Sequence, residues 1–263
     1  MKTGSLTIVG TGIRSVGQLT TESIVCIQQA DQVFYIVSEP IADSLILRLN
    51  PSAESLQKYY VHGKPRLQTY REIVDRIMES VRDGKRTCAA FYGHPGVFVL
   101  PSHAAIRQAR SEGYEARMLP GISAEDCLFA DLGVDPAASG CQVYDATDFV
   151  MHRRRLDPSC SVILWQIGVV GHWTFQQTGY ANLGLPLVLE KLSEYYRPDH
   201  TVVVYEAAVL PGCEPLIQPV QLSQLPAAPL STGSTLYIPP AQATVPDMNM
   251  YQRLGLPLPF NVQ

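Results

Sequence analysis

Residues 91–97 read FYGHPGV; they end a strand-like run, TCAAF (87–91), and precede a helix-like run that follows Pro101. Two glycines and a proline in so short a turn indicate that the backbone comes close to another group, because glycine has no Cβ to prevent it. A strand, a tight turn and a helix in this order form the unit from which parallel α/β sheets are built. The stretch therefore predicts an α/β fold, with Tyr92 and His94 at the edge of a sheet.

The first two-fifths of the chain repeat this alternation. SLTIVG (5–10) and QVFYIV (32–37) read as strands, and TTESIVCIQQA (20–30) reads as a helix capped by Thr20 or Thr21. The clearest helix is RLQTYREIVDRIMESVRDG (66–84), which ends at its final glycine. Its apolar residues recur at helical spacing and predict one buried stripe: Leu67, Tyr70, Val74, Ile77, Met78 and Val81.

The second half has more strand character. After LPGISAEDCLFADLG (119–133), in which SAED predicts a capping-box helix start, come four strand-like runs around one helix, LPLVLEKLSEYY (185–196). The strand-like runs are CQVYDA (141–146), SVILWQI (161–167), HTVVVYEA (200–207) and STLYIPP (234–240). We therefore expect an α/β domain over 1–120, a mixed α/β domain over 121–240, and a Pro-rich tail over 241–263 with a short helix at MNMYQRLG.

Composition excludes several classes of protein. The chain has 263 residues, of which 46% are hydrophobic and 17% charged, so it is globular rather than disordered. A net charge of −4 and a single basic triplet, Arg153 to Arg155, argue against nucleic acid binding. The longest apolar run is too short to cross a membrane, and neither the cysteines nor the histidines have metal-ligand spacing. A cytoplasmic protein with reduced thiols, no membrane contact and no metal is expected.

Two glycine-containing motifs match well-known sites only in part. In VGTGIRSVG (9–17), Gly17 comes too late for a GxGxxG dinucleotide loop, so a tight turn is favoured over NAD binding. A different nucleotide-like ligand at this sheet edge stays open. In PGISAED (120–126), Glu125 stands where the nucleophile motif GxSxG needs glycine, so Ser123 is interpreted as a helix cap.

The segment KYYVHGKPRLQTY (58–70) holds the most informative cluster. Arg66 and Tyr70 are four residues apart and share a helix face, with Tyr60 just before them. A guanidinium beside phenols stabilises the phenolate and lowers the phenol pKa. On pattern alone the simpler interpretation is favoured, namely half-buried tyrosines on an amphipathic helix.

The ordered motifs add a resemblance. SLTIVGTG, FYGHPGVF, RMLPGISAEDCLFADLG, LWQIG, VVVYEA and STLYIPP resemble the tetrapyrrole-methylase superfamily of S-adenosylmethionine (SAM) enzymes, over roughly residues 4–255. With YYxxGKxRLxTY, the set resembles the narrower borosin group. Those enzymes methylate backbone amide nitrogens of a ribosomally synthesized, post-translationally modified peptide (RiPP). The resemblance implies two α/β domains of the class III SAM methyltransferase type, an active site in the cleft between them, and a homodimer.

The resemblance also implies roles for individual residues. The catalytic residues would be Tyr60, Arg66, Tyr70 and Tyr92. Tyr60, made phenolate-like by Arg66, would remove the amide proton; Arg66 and Tyr70 would hold the imidate oxygen, and Tyr92 would position the amide. The residues that would bind SAM are Gly93, His94, Gly96, Val97, Ser123, Ala124, Gln166, Tyr205, Ala207 and Thr235.

The substrate implied is a peptide. Fungal borosin enzymes carry it on their own C-terminus, whereas this sequence stops at Gln263, soon after MNMYQRLGLPLP. We therefore expect a separate precursor peptide, as in split borosin systems. Two alternatives stay open: a methyltransferase acting on a tetrapyrrole or another small molecule, and a non-catalytic module that binds SAM or peptide.

Overall fold

The computed structural model describes residues 3–257. They form two five-stranded sheets with helices packed against them. The strands are β1 Ser5–Gly10, β2 Gln32–Ile36, β3 Glu54–Ser55, β4 Arg86–Phe91, β5 Glu115–Met118, β6 Cys141–Asp145, β7 Ser161–Trp165, β8 Thr201–Glu206, β9 Leu216–Gln221 and β10 Thr235–Ile238. The helices are α1 Ser15–Gln18, α2 Thr21–Gln29, α3 Pro40–Leu49, α4 Arg66–Arg82, α5 Leu100–Ser111, α6 Ala124–Leu132, α7 Pro136–Ser139, α8 Ala146–Met151, α9 Leu185–Leu192 and α10 Met248–Leu254. Short 3₁₀ helices span Leu56–Tyr59, Ile167–Val169 and Leu222–Ala227.

The first sheet has the order β3-β2-β4-β1-β5, and all of its pairs are parallel. The strand, turn and helix pattern of the sequence predicts this arrangement. Because the strands are parallel, their carboxyl ends meet at one edge. The turns that follow β1, β4 and β5 therefore lie side by side there.

Helix α4 confirms the clearest sequence prediction and corrects one detail of it. It runs from Arg66 to Arg82, and its buried face includes Ile73, Ile77 and Met78. Leu67, however, is half exposed, at 50%, so the predicted stripe does not extend through the first turn. The reason is that this turn extends past the core; there Leu67 lines a surface groove with Leu100 instead.

The second sheet has the order β6-β7-β10-β8-β9. Strands β6 and β7 are parallel, whereas β10 is antiparallel to both β7 and β8, so the sheet is mixed, as the sequence predicts. It follows that the carboxyl ends of β6, β7 and β8 share one edge with the start of β10. One face packs on α8 and α9, and the other packs on α6 through Leu128.

Along the sequence, all strands of the first sheet come before residue 119, and all strands of the second sheet come after residue 140. Folding of 1–120 and 121–240 as separate units stays a prediction. The predicted short helix of the tail is α10, capped by Asp247, while the end of the tail, 258–263, lies outside the described residues. Within residues 3–257 no helix is long and apolar enough to cross a membrane. The cysteines are unpaired, and they range from the buried Cys88 to the exposed Cys213.

Candidate active site

Three glycine turns pack against one another at the edge of the first sheet. Gly12 and Gly93 exchange backbone hydrogen bonds of 3.2 and 2.9 Å. A Cβ on Gly10 would lie 2.3 Å from the carbonyl oxygen of Gly93, and one on Gly121 would lie 2.6 Å from the same oxygen. The close approach that FYGHPGV predicts is therefore an approach between turns, and these contacts explain why glycine stands in each motif.

His94 shapes the turn that follows β4. Its Nδ1 accepts a hydrogen bond from the backbone N–H of Gly96 at 2.8 Å, and a Cβ on Gly96 would meet the imidazole ring at 2.9 Å. His103 Nε2 donates to the carbonyl oxygen of Gly96 at 2.9 Å. Ser102 donates to the carbonyl oxygen of Val99, at 2.7 Å, and also to that of Pro95. These hydrogen bonds hold the segment from Gly93 to Val97 in one conformation. The family resemblance predicts that this segment contacts SAM.

Tyr92 opens this turn and lies partly buried beside the second half. Its backbone N–H donates to the carbonyl oxygen of Ile36 at 2.9 Å. Burial raises the pKa of its phenol to about 12, and the nearby Cys127 thiol adds to the effect. Tyr92 is therefore a neutral phenol at physiological pH.

Tyr60, Arg66 and Tyr70 come together at the start of α4, as the sequence predicts. Burial raises the pKa of Tyr60 above its ordinary value of 10.0; Tyr70 adds to the rise, and Arg66 opposes it. Burial likewise raises the pKa of Tyr70, again against Arg66. Arg66 does act to lower both phenol pKa values, as expected. The net pKa of each phenol is nevertheless raised, so the predicted lowering is wrong, because the loss of hydration outweighs the guanidinium charge.

Arg66 reaches across the cleft into the second half. Its Nη1 donates to Gln166 Oε1 at 3.4 Å, and its Nη2 donates to the hydroxyl of Tyr180 at 3.2 Å. Gln166 adopts a left-handed conformation, with φ of 58°, which is strained for a residue with a side chain. Gln166, predicted as a SAM contact, therefore contacts Arg66 from the second half.

The residues 171–184, here called the strap, fasten the two halves together. The backbone N–H of Arg66 donates to the carbonyl oxygen of Trp173 at 2.9 Å. The backbone N–H of Gly63 donates to the carbonyl oxygen of Phe175 at 2.8 Å. The backbone N–H of Phe175 donates to the carbonyl oxygen of Lys64 at 3.0 Å. The ring of Phe175 also packs edge-on against Tyr60, with centroids 5.4 Å apart.

Sequence reasoning missed the strap and its Tyr180. The strap contains neither the two-residue hydrophobic period of a strand nor the 3.6-residue period of a helix, so a search for these patterns does not find it. The available signal is TGYANLG (178–184), an aromatic residue between two glycines within a polar loop. Asp145, at the end of β6, was missed as well; its charge raises the pKa of Tyr70 as a smaller contribution.

The remaining predicted SAM contacts lie at the ends of secondary-structure elements. Ser123 caps α6 in a capping box with Asp126, which confirms its interpretation as a cap, and Ala124 is the first residue of that helix. Tyr205 is buried, and its hydroxyl donates to Asp131 at 2.7 Å. Burial and this carboxylate raise the pKa of Tyr205. Thr235 is the register partner of Tyr205 in the sheet, and Ala207 follows β8, so these positions share one edge.

A pocket of about 590 Å³ lies between the two halves; none of the residues predicted to bind SAM lines it, although Ile122 and Ala208, which are next to Ser123 and Ala207 in sequence, do. It is bounded by the turn after β1, by α6 and by the segment after β8, through residues that include Arg14, Gln18, Ile122, Cys127 and Ala208. The size is that of a small-molecule site. In the part of the chain that the structure describes, no group of three or more His, Cys, Asp or Glu side chains could hold a metal ion.

Comparison with curated proteins finds close relatives in fungi. The chain is 47% identical, over 96% of its length and 61% of the relative's, to the methyltransferase/ribosomally synthesized cyclic peptide gymnopeptides precursor of Gymnopus fusipes. It is 41% identical, over 97% and 64%, to the methyltransferase/ribosomally synthesized type I borosin cyclic peptide precursor of Serendipita vermifera subsp. bescii. The chain thus spans about three-fifths of the length of these curated relatives.

Comparison with solved structures finds the same fold at low identity. Uroporphyrin-III-C-methyltransferase from Thermus thermophilus superimposes with a TM-score of 0.65 and 18% identity, over 97% of each chain. This likeness confirms the predicted arrangement of two α/β units. The family description "Tetrapyrrole (Corrin/Porphyrin) Methylases" matches residues 5–220, which is most of the chain. The chain therefore belongs to the tetrapyrrole methylase family.

Proposed function

We propose that this protein is a SAM-dependent methyltransferase that methylates backbone amide nitrogens of a ribosomally made precursor peptide. The observation that carries the proposal is the guanidinium of Arg66, which lies at the cleft with Tyr60 and Tyr70 and is anchored from the second half. The names of the fungal relatives, which join a methyltransferase to a cyclic peptide precursor, support a peptide as substrate.

The chemistry of an amide explains why such a cluster is needed. The nitrogen lone pair is delocalised into the carbonyl group, so the nitrogen is a poor nucleophile until its proton leaves. Negative charge then develops on the carbonyl oxygen. Arg66 and Tyr70 donate hydrogen bonds to that oxygen, and each donor of this kind typically contributes about 3 kcal/mol to lowering the barrier.

Tyr60 acts as the base in this proposal, and Tyr92 positions the amide. The raised pKa of Tyr60 makes its phenolate scarce at neutral pH, but it also makes that phenolate a stronger base. The stronger base matches the weakly acidic amide better, since the pKa difference to be overcome is smaller. Stabilisation of the imidate oxygen by Arg66 offsets the remaining difference.

The methyl donor is proposed to be SAM, which supplies a methyl group already activated by a positive sulfur. The buried indole N–H of Trp165, which packs in one cluster with Ala124 and Ala207, lacks a partner among the described residues. That donor is therefore available to a ligand. The residues that would hold the cofactor are the backbone of 93–97 with His94 as its brace, Ser123 and Ala124 at the start of α6, and Gln166, Tyr205, Ala207 and Thr235 at the edge of the second sheet.

The test is to incubate the protein with SAM and a precursor peptide, encoded next to its gene, and to analyse the peptide by intact and fragment mass spectrometry. We expect mass increases of one methyl group each, located on backbone nitrogens. Tyr60→Phe and Arg66→Ala should each reduce the rate by about a hundredfold or more. Methylation of a tetrapyrrole instead, or binding of SAM without formation of S-adenosylhomocysteine, would contradict the proposal.

Two further predictions concern partners. The peptide is expected to act as a separate molecule, so methylation of a peptide added in trans is the deciding measurement.

The protein is expected to form a homodimer, which light scattering with and without peptide would measure. A monomeric mass under both conditions would refute the dimer and leave the chemistry untouched.

A further inference from the structure

Tyr180 holds the guanidinium of Arg66 from the second half of the molecule. Its hydroxyl oxygen accepts a hydrogen bond from Arg66 Nη2 at 3.2 Å, and Arg66 Cζ lies 5.5 Å from the centroid of its ring. Gln166 Oε1 accepts a hydrogen bond from the other terminal nitrogen, Arg66 Nη1, at 3.4 Å. Arginine is long and flexible, so two anchors on different nitrogens fix both the position and the plane of the guanidinium.

Tyr180 is itself held rigidly by the strap. The backbone N–H of Gln176 donates to its hydroxyl at 3.0 Å. The ring of His172 packs edge-on against it, with centroids 4.9 Å apart, and His172 Nε2 donates to the carbonyl oxygen of Ala181 at 2.6 Å. A hydroxyl oxygen has two lone pairs, and both are occupied here, so Tyr180 cannot also accept a proton from a substrate.

We propose that Tyr180 is a positioning residue for Arg66: the strap sets the direction in which the guanidinium faces the oxygen of the reacting amide. This inference rests on the proposed function, in which Arg66 stabilises the imidate oxygen. Because that negative charge develops only in the transition state, a misdirected guanidinium lowers kcat and leaves substrate binding nearly unchanged.

The first experiment compares two substitutions that each remove one tyrosine hydroxyl. Tyr180→Phe should lower kcat by about tenfold or more and change KM by less than about twofold. Tyr144→Phe is the matched control, because Tyr144 also accepts one side-chain hydrogen bond, from Gln142 at 3.3 Å, and lies 5.4 Å from a guanidinium, that of Arg154. The control should keep kcat within about twofold of the unmodified protein. Equal effects of both substitutions, or a rise in KM alone, would overturn the inference.

The second experiment asks whether Tyr180 acts through Arg66. In an Arg66→Lys background, Tyr180→Phe should reduce the remaining methylation by less than about twofold, since the group it positions is already gone. Methylated peptide accumulated over long incubation is the quantity measured. A full additional loss would show that Tyr180 acts independently and would refute its role as a positioning residue.

The third experiment needs no substrate. With ¹⁵N-labelled arginine, the Nη–H signals of Arg66 are identified by their disappearance in Arg66→Lys, and their exchange with solvent is measured. Tyr180→Phe should accelerate this exchange by about tenfold, whereas Tyr144→Phe should not. If the unmodified protein methylates no peptide but the exchange accelerates, the proposed function fails and the positioning contact stands. If peptide is methylated and neither kcat nor exchange responds to Tyr180→Phe, this inference fails alone.

Discussion

Tyr60 is a residue at which burial and a neighbouring positive charge act in opposite directions on the pKa. Burial raises its pKa, and the Arg66 guanidinium pulls the pKa down without compensating. The family resemblance, by contrast, implies a phenolate-like Tyr60 beside Arg66, whereas the pattern alone favours half-buried tyrosines. The sequence shows the spacing of Arg66 and Tyr60, whereas the loss of hydration comes from parts of the chain far away, such as Phe175.

A pH profile tests the role of Tyr60. Its pKa lies above the ordinary value of about 10, so the fraction of phenolate rises tenfold per pH unit throughout the range from 7 to about 9.5. We expect kcat to rise with a slope near one on a logarithmic scale and without a plateau in that range. Tyr60→Phe should flatten the profile. A plateau below about pH 9 would assign the proton transfer to another group.

Gly10 illustrates how a single missing Cβ keeps the site together. Gly10→Ala would bring a Cβ to 2.3 Å from the Gly93 carbonyl oxygen, so the turns must separate. We expect a loss of about 1–3 kcal/mol in the free energy of unfolding, measured by urea titration. Gly233→Ala is the matched control, because its Cβ would meet nothing closer than the Ser231 hydroxyl at 3.6 Å. Equal stability of the two variants would show that the turns are loosely packed.

At the scale of elements, helix boundaries follow local chemistry. Thr20 caps α2, Ser123 and Asp126 form the predicted capping box of α6, and α10 begins after Asp247. These positions were predictable because the capping side chain and the helix lie within a few residues. The strands β3, β5 and β9 were not predicted. β3 and β5 have only two and four residues, too few to show a period, and β9 contains Pro219, which weakens the strand pattern although its partner is the preceding strand β8.

Ser123→Ala tests whether this serine mainly stabilises α6. Its hydroxyl accepts from the Asp126 N–H at 3.1 Å, so the loss of the cap should lower the free energy of unfolding by about 1 kcal/mol. Ser111→Ala, which removes an exposed hydroxyl at the end of α5, serves as the comparison and should change the stability by less than about 0.5 kcal/mol. Loss of SAM binding without loss of stability would instead give Ser123 a direct role at the cofactor.

At the scale of the whole molecule, the cleft depends on contacts that the sequence pattern does not reveal. The motifs were placed on the correct strand ends, because a parallel sheet brings its turns to one edge. The bonds from Arg66 to Gln166 and Tyr180 join residues 100 and 114 positions apart, and no periodicity encodes such pairs. The architecture was therefore predictable, and the contacts that hold Arg66 from the second half were not.

Burial of phenols and thiols predicts how the whole protein responds to alkali. Burial raises the pKa of Tyr35 and Tyr196 to about 12 and that of Cys141 to about 11. Between the unfolded pKa values, about 9 to 10, and these folded values, the unfolded chain releases protons that the folded chain retains. Stability is therefore fully present below about pH 9 and falls as the pH rises towards 12, which urea titrations at increasing pH would measure.

Tyr196→Phe isolates one part of this effect. The Tyr196 hydroxyl is buried without a partner among the described residues, so its removal should leave stability at pH 7 unchanged or raise it by up to about 1 kcal/mol. It should also make the alkaline loss less steep. A variant with lower stability at pH 7 and an unchanged alkaline slope would contradict this account.

Backbone hydrogen bonds join the strap to Gly63, Lys64 and Arg66, beside the side-chain contact from Tyr180 to Arg66. Two side chains at this seam project towards solvent: Trp173 is 59% exposed and Val61 is 52% exposed. Natural or laboratory evolution can therefore vary these side chains without releasing Arg66. We expect a mutant library at these two positions to retain folded protein, so that, under the proposed function, the library can be screened for altered peptide selectivity.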